Sequence, residues 1–269
     1  MAEKLDIKFN KNFGQNFIFD TNLLKAIVND GGVNKYTDVL EIGTGAATLT
    51  KEIANQARKV VSYEIDTNLI PTISNTLNGV DNAQVVFRDI MKEDMASIEA
   101  NFSEDYIIVA NLPYYITTPI IFKFLENATK LKTMVIMVQK EVAERLCAKC
   151  NTAEYGAITA VINAVANTKI TRIVKRNMFI PAPNVDSAVV RIDFDKNKYN
   201  VNNFDNLSKL IKCAFHMRRK TLVNNLKSSF GMSGERVDNA FKQMNIDKSI
   251  RGEVLSPEQF VELSNLLFD

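Results

Sequence analysis

A single histidine, His216, stands in 269 residues. With so little imidazole, four zinc ligands are hard to assemble and no hydrolytic triad is apparent. His216 itself is read as a packing or surface residue. The three cysteines, Cys147, Cys150 and Cys213, are odd in number and imply no disulfide framework. Cys147 and Cys150 have C-x-x-C spacing, but they lie in helix-like sequence without a second pair, and are read as plain thiols in a reducing compartment. No apolar run reaches the roughly 18 residues of a membrane span, and Met1–Asp6 offers no apolar signal core. A dominant charge is also missing, since 33 basic residues face 31 acidic ones for a net charge of +2. These absences predict a soluble, cytoplasmic protein with no metal and no membrane partner.

What is present is an ample core, with 46% hydrophobic residues, and an uneven charge distribution. From Lys169 to Lys220 there are 12 Lys/Arg against four Asp/Glu. That segment is a candidate for phosphate contacts, with a solvated basic face as the alternative. Strand-like and helix-like segments alternate after a basic start (Lys4, Lys8, Lys11), which predicts an α/β domain with a mainly parallel sheet. Strands are expected at Asp38–Ile42, Lys59–Glu64, Ala83–Phe87, Tyr106–Ala110, Thr133–Gln139, Thr168–Val174 and Ser187–Phe194. The last two flank the loop Phe179–Pro183. Helical patterns cover Thr48–Gln56, Leu69–Leu77, Lys140–Cys150 and Ile158–Ala166. The polar stretch Asp195–Asn203 reads as a linker, followed by helical periodicity alone. Ser256-Pro257 looks like an N-cap with proline in the first turn. The expected division is residues 1–198 for a catalytic α/β domain and 199–269 for a small all-helical one.

Val39-Leu40-Glu41-Ile42-Gly43-Thr44-Gly45 is a buried strand entering a glycine turn. The full dinucleotide fingerprint is absent, because Thr48 stands where its last glycine would be. Glu64 closes the next strand, where an acid can accept bonds from ribose hydroxyls, and Asp89 follows the third, placed to accept from an adenine amino group. At this point a nicotinamide enzyme stays open, as does the plain reading of both acids as caps or surface charges.

The fourth strand ends in Asn111-Leu112-Pro113-Tyr114, which resembles the Asn/Asp-Pro/Leu-Pro-Tyr/Phe motif of methyltransferases acting on exocyclic amino groups. An adenine amino nitrogen is a poor nucleophile because its lone pair is delocalised. The Asn111 oxygen and the Leu112 carbonyl would accept its two hydrogens, Pro113 would preset the turn, and Tyr114 would stack on the base. Methyl transfer from a sulfonium is governed by positioning more than by acid–base catalysis. A capped strand-to-helix turn is the plainer alternative.

Taken with Phe13-Gly14-Gln15-Asn16-Phe17-Ile18, Met137–Ala143, Phe179–Ala188, Arg218–Leu222 and Arg251–Leu255, this motif makes nearly the whole chain similar to the KsgA family, the small-subunit (16S) ribosomal RNA adenine dimethyltransferases. The resemblance implies a Rossmann-like class I methyltransferase fold and S-adenosyl-L-methionine as cofactor. It implies that Asn16, Ile18, Gly43, Glu64, Asp89 and Asn111 line the cofactor site, with Gly45, Ile65 and Ile90 beside them. Phe179 would hold the flipped base together with Tyr114, and Arg218, Arg219 and Lys220, on a helix, would include contacts to RNA phosphate. The implied substrate is a pair of adjacent adenosines near the 3′ end of 16S rRNA, in a small-subunit assembly intermediate, modified by a monomer. Thr44 departs from the proline the family often has, and Ala47 from a third glycine; the added methyl is expected to affect cofactor binding little. A 23S rRNA dimethyltransferase of the erythromycin-resistance type, a DNA adenine methyltransferase and a non-catalytic RNA-binding assembly factor are the competing readings.

Overall fold

The computed structural model describes residues 16–195 and 197–268. The motif residues Phe13, Gly14 and Gln15 lie outside them. Among the described residues the nine strands are β1 (Phe17–Ile18), β2 (Asp38–Ile42), β3 (Lys59–Glu64), β4 (Ala83–Phe87), β5 (Tyr106–Asn111), β6 (Leu131–Gln139), β7 (Ala166–Val174), β8 (Phe179–Ile180) and β9 (Ser187–Phe194). Seven of them form one sheet in the order β4-β3-β2-β5-β6-β9-β7. The pairs β4–β3, β3–β2, β2–β5 and β5–β6 are parallel, and β9 runs antiparallel to β6. β9 and β7, the strands on either side of the Phe179–Pro183 segment, are neighbours in the sheet.

Burial follows position in the sheet. All five residues of central β2 are buried, the acids Asp38 and Glu41 included, as expected of a parallel strand covered on both faces. Edge strand β4 stays half-exposed. From β2 the chain builds outward to β3 and β4, then returns to place β5 on the other side. That reversal lies between β2 and β5, and the crevice beyond the carboxyl ends of such strands is where open α/β sheets bind ligands.

The helices are α1 (Thr21–Asp30), α2 (Thr48–Ala54), α3 (Ile70–Thr76), α4 (Met95–Glu99), α5 (Thr117–Asn127), α6 (Lys140–Leu146), α7 (Ala157–Val165), α8 (Phe204–His216), α9 (Leu222–Phe230), α10 (Gly234–Gln243) and α11 (Pro257–Phe268). Local chemistry sets several starts. Asp20 accepts from the Leu23 N–H at 2.8 Å, and Asn203 from the Asn206 N–H at 3.0 Å. At α11, Ser256 Oγ accepts from the Gln259 N–H while Gln259 Oε1 accepts from the Ser256 N–H, a reciprocal capping box with Pro257 as the first residue. The helical pattern expected through Cys150 stops at Leu146. Asn151 then takes a left-handed φ of 63° and gives its N–H to Glu253 O, which turns the chain away from the helix axis.

Among the described residues, 16–143 with 169–193 form one compact unit, and 144–168 with 194–195 and 197–268 form the second. The division expected at residue 198 falls a few residues after the boundary at 194, and it differs from this grouping chiefly in residues 144–168. The cause is α7, a run of almost purely apolar residues that packs on α8 and α11. Among the described residues no helix is long and apolar enough to cross a membrane.

Candidate active site

Four strand ends build a cavity of about 220 Å³ in the α/β unit. Gly43 and Gly45 follow β2, Glu64 ends β3, Asp89 follows β4 and Asn111 ends β5; all five line it. So do Asn16, Ile18, Ile65, Ile90, Leu112, Pro113 and Tyr114, residues more than 90 positions apart in the chain. The β1 segment reaches the cavity by pairing with β8, Ile18 opposite Phe179, and by accepting the Thr48 hydroxyl on Ile18 O at 2.8 Å.

The glycine turn is held by the acid opposite it. Glu64, 6% exposed, accepts from the Gly45 N–H on Oε2 at 2.8 Å and from the Ile65 and Asp66 N–H groups on Oε1, both at 2.9 Å. A carboxylate has about four lone-pair sites, so these three bonds fix the group and leave capacity for a ligand hydroxyl. Gly45 has φ +56°, and a Cβ there would stand 2.7 Å from the Phe17 ring, so both backbone and space call for glycine. Asp89 Oδ1 accepts from the Met91 N–H at 3.0 Å. Asn111 donates its Nδ2 to Asn16 O at 2.9 Å, which orients the amide and turns Oδ1 into the remaining acceptor. Two carboxylates, a glycine turn and the apolar walls of Ile65 and Ile90 fit a ligand with a ribose and a flat heterocycle, so S-adenosylmethionine is compatible with these residues.

Tyr114 opens a short turn, Tyr114–Ile116, directly after Pro113. Its hydroxyl meets Ser187 Oγ at 2.8 Å, and burial pushes its pKa up. Neighbouring Tyr115 also lines the cavity but is exposed; burial of its hydroxyl, then the charges of Asp89 and Glu64, raise its pKa.

Phe179 is the expected site residue that the structure does not bring to the cavity. It is 2% exposed and packed in the core with Ile18, Val28 and Val189, because the segment read as a loop pairs as β8 with β1. Arg218, Arg219 and Lys220 are exposed, as expected, but on the turn between α8 and α9 and not on a helix. α8 ends at His216, the Lys220 N–H returns to Met217 O, and Thr221 caps α9. Arg218 is tied to Tyr155 O at 3.2 Å and faces Glu253 at 3.5 Å. Among the described residues, Arg219 and Lys220 make no side-chain hydrogen bond or ion pair. His216 is an exposed residue.

The residue patterns did not reveal what lies beneath the glycine turn. Glu41, fully buried within β2, accepts on Oε2 from Thr50 Oγ1 at 2.6 Å and Ser62 Oγ at 2.5 Å, and Ser62 Oγ meets Thr44 Oγ1 at 2.6 Å. Glu41 Oε1 has no hydrogen-bond partner among the described residues. Burial pushes its carboxyl up to about 8, opposed by the two hydroxyls and reinforced by the charge of Glu64. An acid inside an otherwise apolar strand was the available signal. Thr44, the departure from proline, is thus the hydroxyl that ties the turn to this acid. Ala47, the departure from glycine, sits at φ +59° and is fully buried, a conformation that costs a non-glycine residue about 1 kcal/mol.

Comparison with known proteins agrees with this geometry. The family model for ribosomal RNA adenine dimethylase matches residues 6–269. A ribosomal RNA small subunit methyltransferase A of Clostridioides difficile (strain 630) is 42% identical over 270 residues, covering 99% of this chain and 93% of the relative. The protein of that name from Bacillus pumilus (strain SAFR-032) is 40% identical over 274 residues, covering 99% and 94%. Among solved structures, a dimethyladenosine transferase from Plasmodium falciparum superposes with a TM-score of 0.77 at 25% identity, covering 92% of this chain and 95% of that one. The 23S rRNA methyltransferase ErmE gives 0.71 at 25% identity, covering 94% and 100%. The fold is therefore that of class I methyltransferases, and with a family match from residue 6 to residue 269 the chain belongs to the ribosomal RNA adenine dimethylase family.

Proposed function

We propose that this chain dimethylates the N6 amino groups of two adjacent adenosines near the 3′ end of 16S rRNA, in a small-subunit assembly intermediate, using S-adenosylmethionine. The observation that carries the reading is the convergence of Gly43, Glu64, Asp89 and Asn111–Tyr114 on one cavity at the strand ends. Identity favours the small-subunit branch, at 42% to the methyltransferase A relative against 25% to the 23S enzyme.

S-adenosylmethionine supplies an electrophilic methyl group on its sulfonium. Glu64 would accept the ribose hydroxyls of the cofactor and Asp89 its adenine amino group, and the turn at Gly43 and Gly45 would let the backbone approach. Asn16, Ile18, Ile65 and Ile90 complete the walls. Asn111 Oδ1 and the Leu112 carbonyl would accept the target's amino hydrogens and so favour a more tetrahedral, nucleophilic nitrogen. Leu112 is fixed for this by donating its N–H to Met137 O at 3.3 Å. Pro113 holds the turn, and Tyr114 stacks on the extracted base, a contact worth roughly 1–3 kcal/mol. Phe179 supports the site from below, through β8 and its pairing with Ile18. Arg219 and Lys220 contact rRNA phosphate, with Arg218 bracing their turn, and such contacts position the substrate without selecting the base.

The test supplies purified protein and labelled S-adenosylmethionine with undermethylated small subunits or with free 23S rRNA. Label as N6,N6-dimethyladenosine at two adjacent small-subunit positions is expected. Label only in 23S rRNA would move the chain to the resistance branch, and none in either would make it a binding factor.

A further inference from the structure

Pro113 and Ser187 grip Tyr114 at opposite ends. On the backbone side, the Ile116 N–H and the Thr117 hydroxyl both donate to Pro113 O, at 3.2 Å each, so the turn carrying the tyrosine is fixed. At the far end of the ring, the phenol lies 2.8 Å from Ser187 Oγ. Ser187 is 0% exposed and opens β9, opposite Gln139 at the end of β6, while the neighbouring Lys140 N–H donates to Asp186 O. Its hydroxyl is therefore anchored in the sheet and not in a mobile loop. A hydrogen bond at the para position fixes where the far end of the ring lies, which opposes its swing about χ1, and because a phenol O–H prefers the ring plane it also biases the ring's rotation about χ2.

We infer that Ser187 is a positioning residue for methyl transfer, holding the Tyr114 ring in the plane against which the target adenine is presented to Asn111. This rests on the functional reading above. Ser187 touches no reacting atom, and the demand it meets is angular. An in-line displacement loses rate steeply with small misplacements of the nucleophile.

The test compares Ser187→Ala, Tyr114→Phe and the double variant, each with labelled S-adenosylmethionine and undermethylated small subunits. Ser187→Ala should lower kcat about ten-fold, the factor that about 1.4 kcal/mol makes in a rate, with the KM for S-adenosylmethionine and the Tm unchanged. Tyr114→Phe should do the same, and the double variant should be no slower than either, because both single changes remove one link. With 2-aminopurine at the target position of a small-subunit RNA, binding should quench its fluorescence less in Ser187→Ala than in the wild type. Multiplying effects, an unchanged kcat, or a loss of Tm or cofactor affinity matching the loss of rate would each overturn the positioning role alone. A wild-type protein that transfers no methyl would overturn the functional reading and this inference with it.

Discussion

Replacing Glu41 by glutamine should change how the stability of the α/β unit depends on pH. The carboxyl is fully buried, and its pKa is pushed from the usual 4.5 to about 8. Below pH 4.5 the folded and unfolded chains both carry the proton. Between 4.5 and about 8 only the folded chain does, so unfolding releases a proton and rising pH favours unfolding. Each pH unit in that window costs about 1.4 kcal/mol, and two units, from 5.5 to 7.5, cost about 3 kcal/mol. Above about 8 the loss levels off. Glutamine keeps an acceptor for Thr50 and Ser62 but brings its NH2 to the position of Oε1, which has no partner among the described residues. That sets an offset of about 1–3 kcal/mol, independent of pH. The informative quantity is therefore the slope. Urea unfolding of both proteins at half-unit steps from pH 5 to 8.5 should show the variant gaining about 3 kcal/mol relative to the wild type between pH 5.5 and 7.5, and about 4 kcal/mol over the whole range. In thermal scans this is roughly 2–4 °C for each kcal/mol. Parallel curves would show that Glu41 is ionised in the folded protein and that the reasoning from burial fails.

Asn111→Ala should abolish methyl transfer while leaving RNA binding in a filter assay within about two-fold, since one base-edge acceptor is lost and no phosphate contact; near-normal turnover would refute the assigned role. Gly252→Ala should destabilise the helical unit by about 1–3 kcal/mol, because the new Cβ would meet Ala214 O at 2.7 Å and Ala214 Cβ at 2.8 Å, and an unchanged Tm would contradict that crowding. Replacing Arg219 and Lys220 together by alanine should weaken RNA binding and reduce the slope of log affinity against log salt by about 2 if both touch phosphate; an unaltered slope would place them in solvent.

Much of this architecture was legible because parallel strands announce themselves. Asp38–Ile42, Lys59–Glu64 and Ser187–Phe194 run as expected to the residue, since short segments rich in Val, Ile and other apolar residues between polar turns have few alternative readings. Gly43, Glu64, Asp89 and Asn111 converge because each sits where a strand ends, and strand ends share an edge. What stayed hidden depends on partners distant in sequence. Nothing local marks Phe179 as a strand residue, because its pairing partner, Ile18, is 161 positions away. Ser187 is similarly silent about Tyr114. The turn at Arg218–Lys220 was masked by good helix formers, although Thr221, a capping residue just beyond them, pointed to a break.

The early position of α7 in the chain has a consequence for synthesis. Its partners α8 and α11 are encoded later, and α11 ends roughly 100 residues downstream, which at ribosomal speeds of about 5–20 residues per second leaves the helix waiting for about 5–20 s. During that interval Ala160, Val161, Ile162 and Ala164, all buried in the finished protein, have no permanent cover. The emerging chain is thus exposed to self-association and to chaperone capture through one short segment. A ribosome stalled in the C-terminal quarter would hold a nascent chain with most of its sheet translated and an adhesive helix still open.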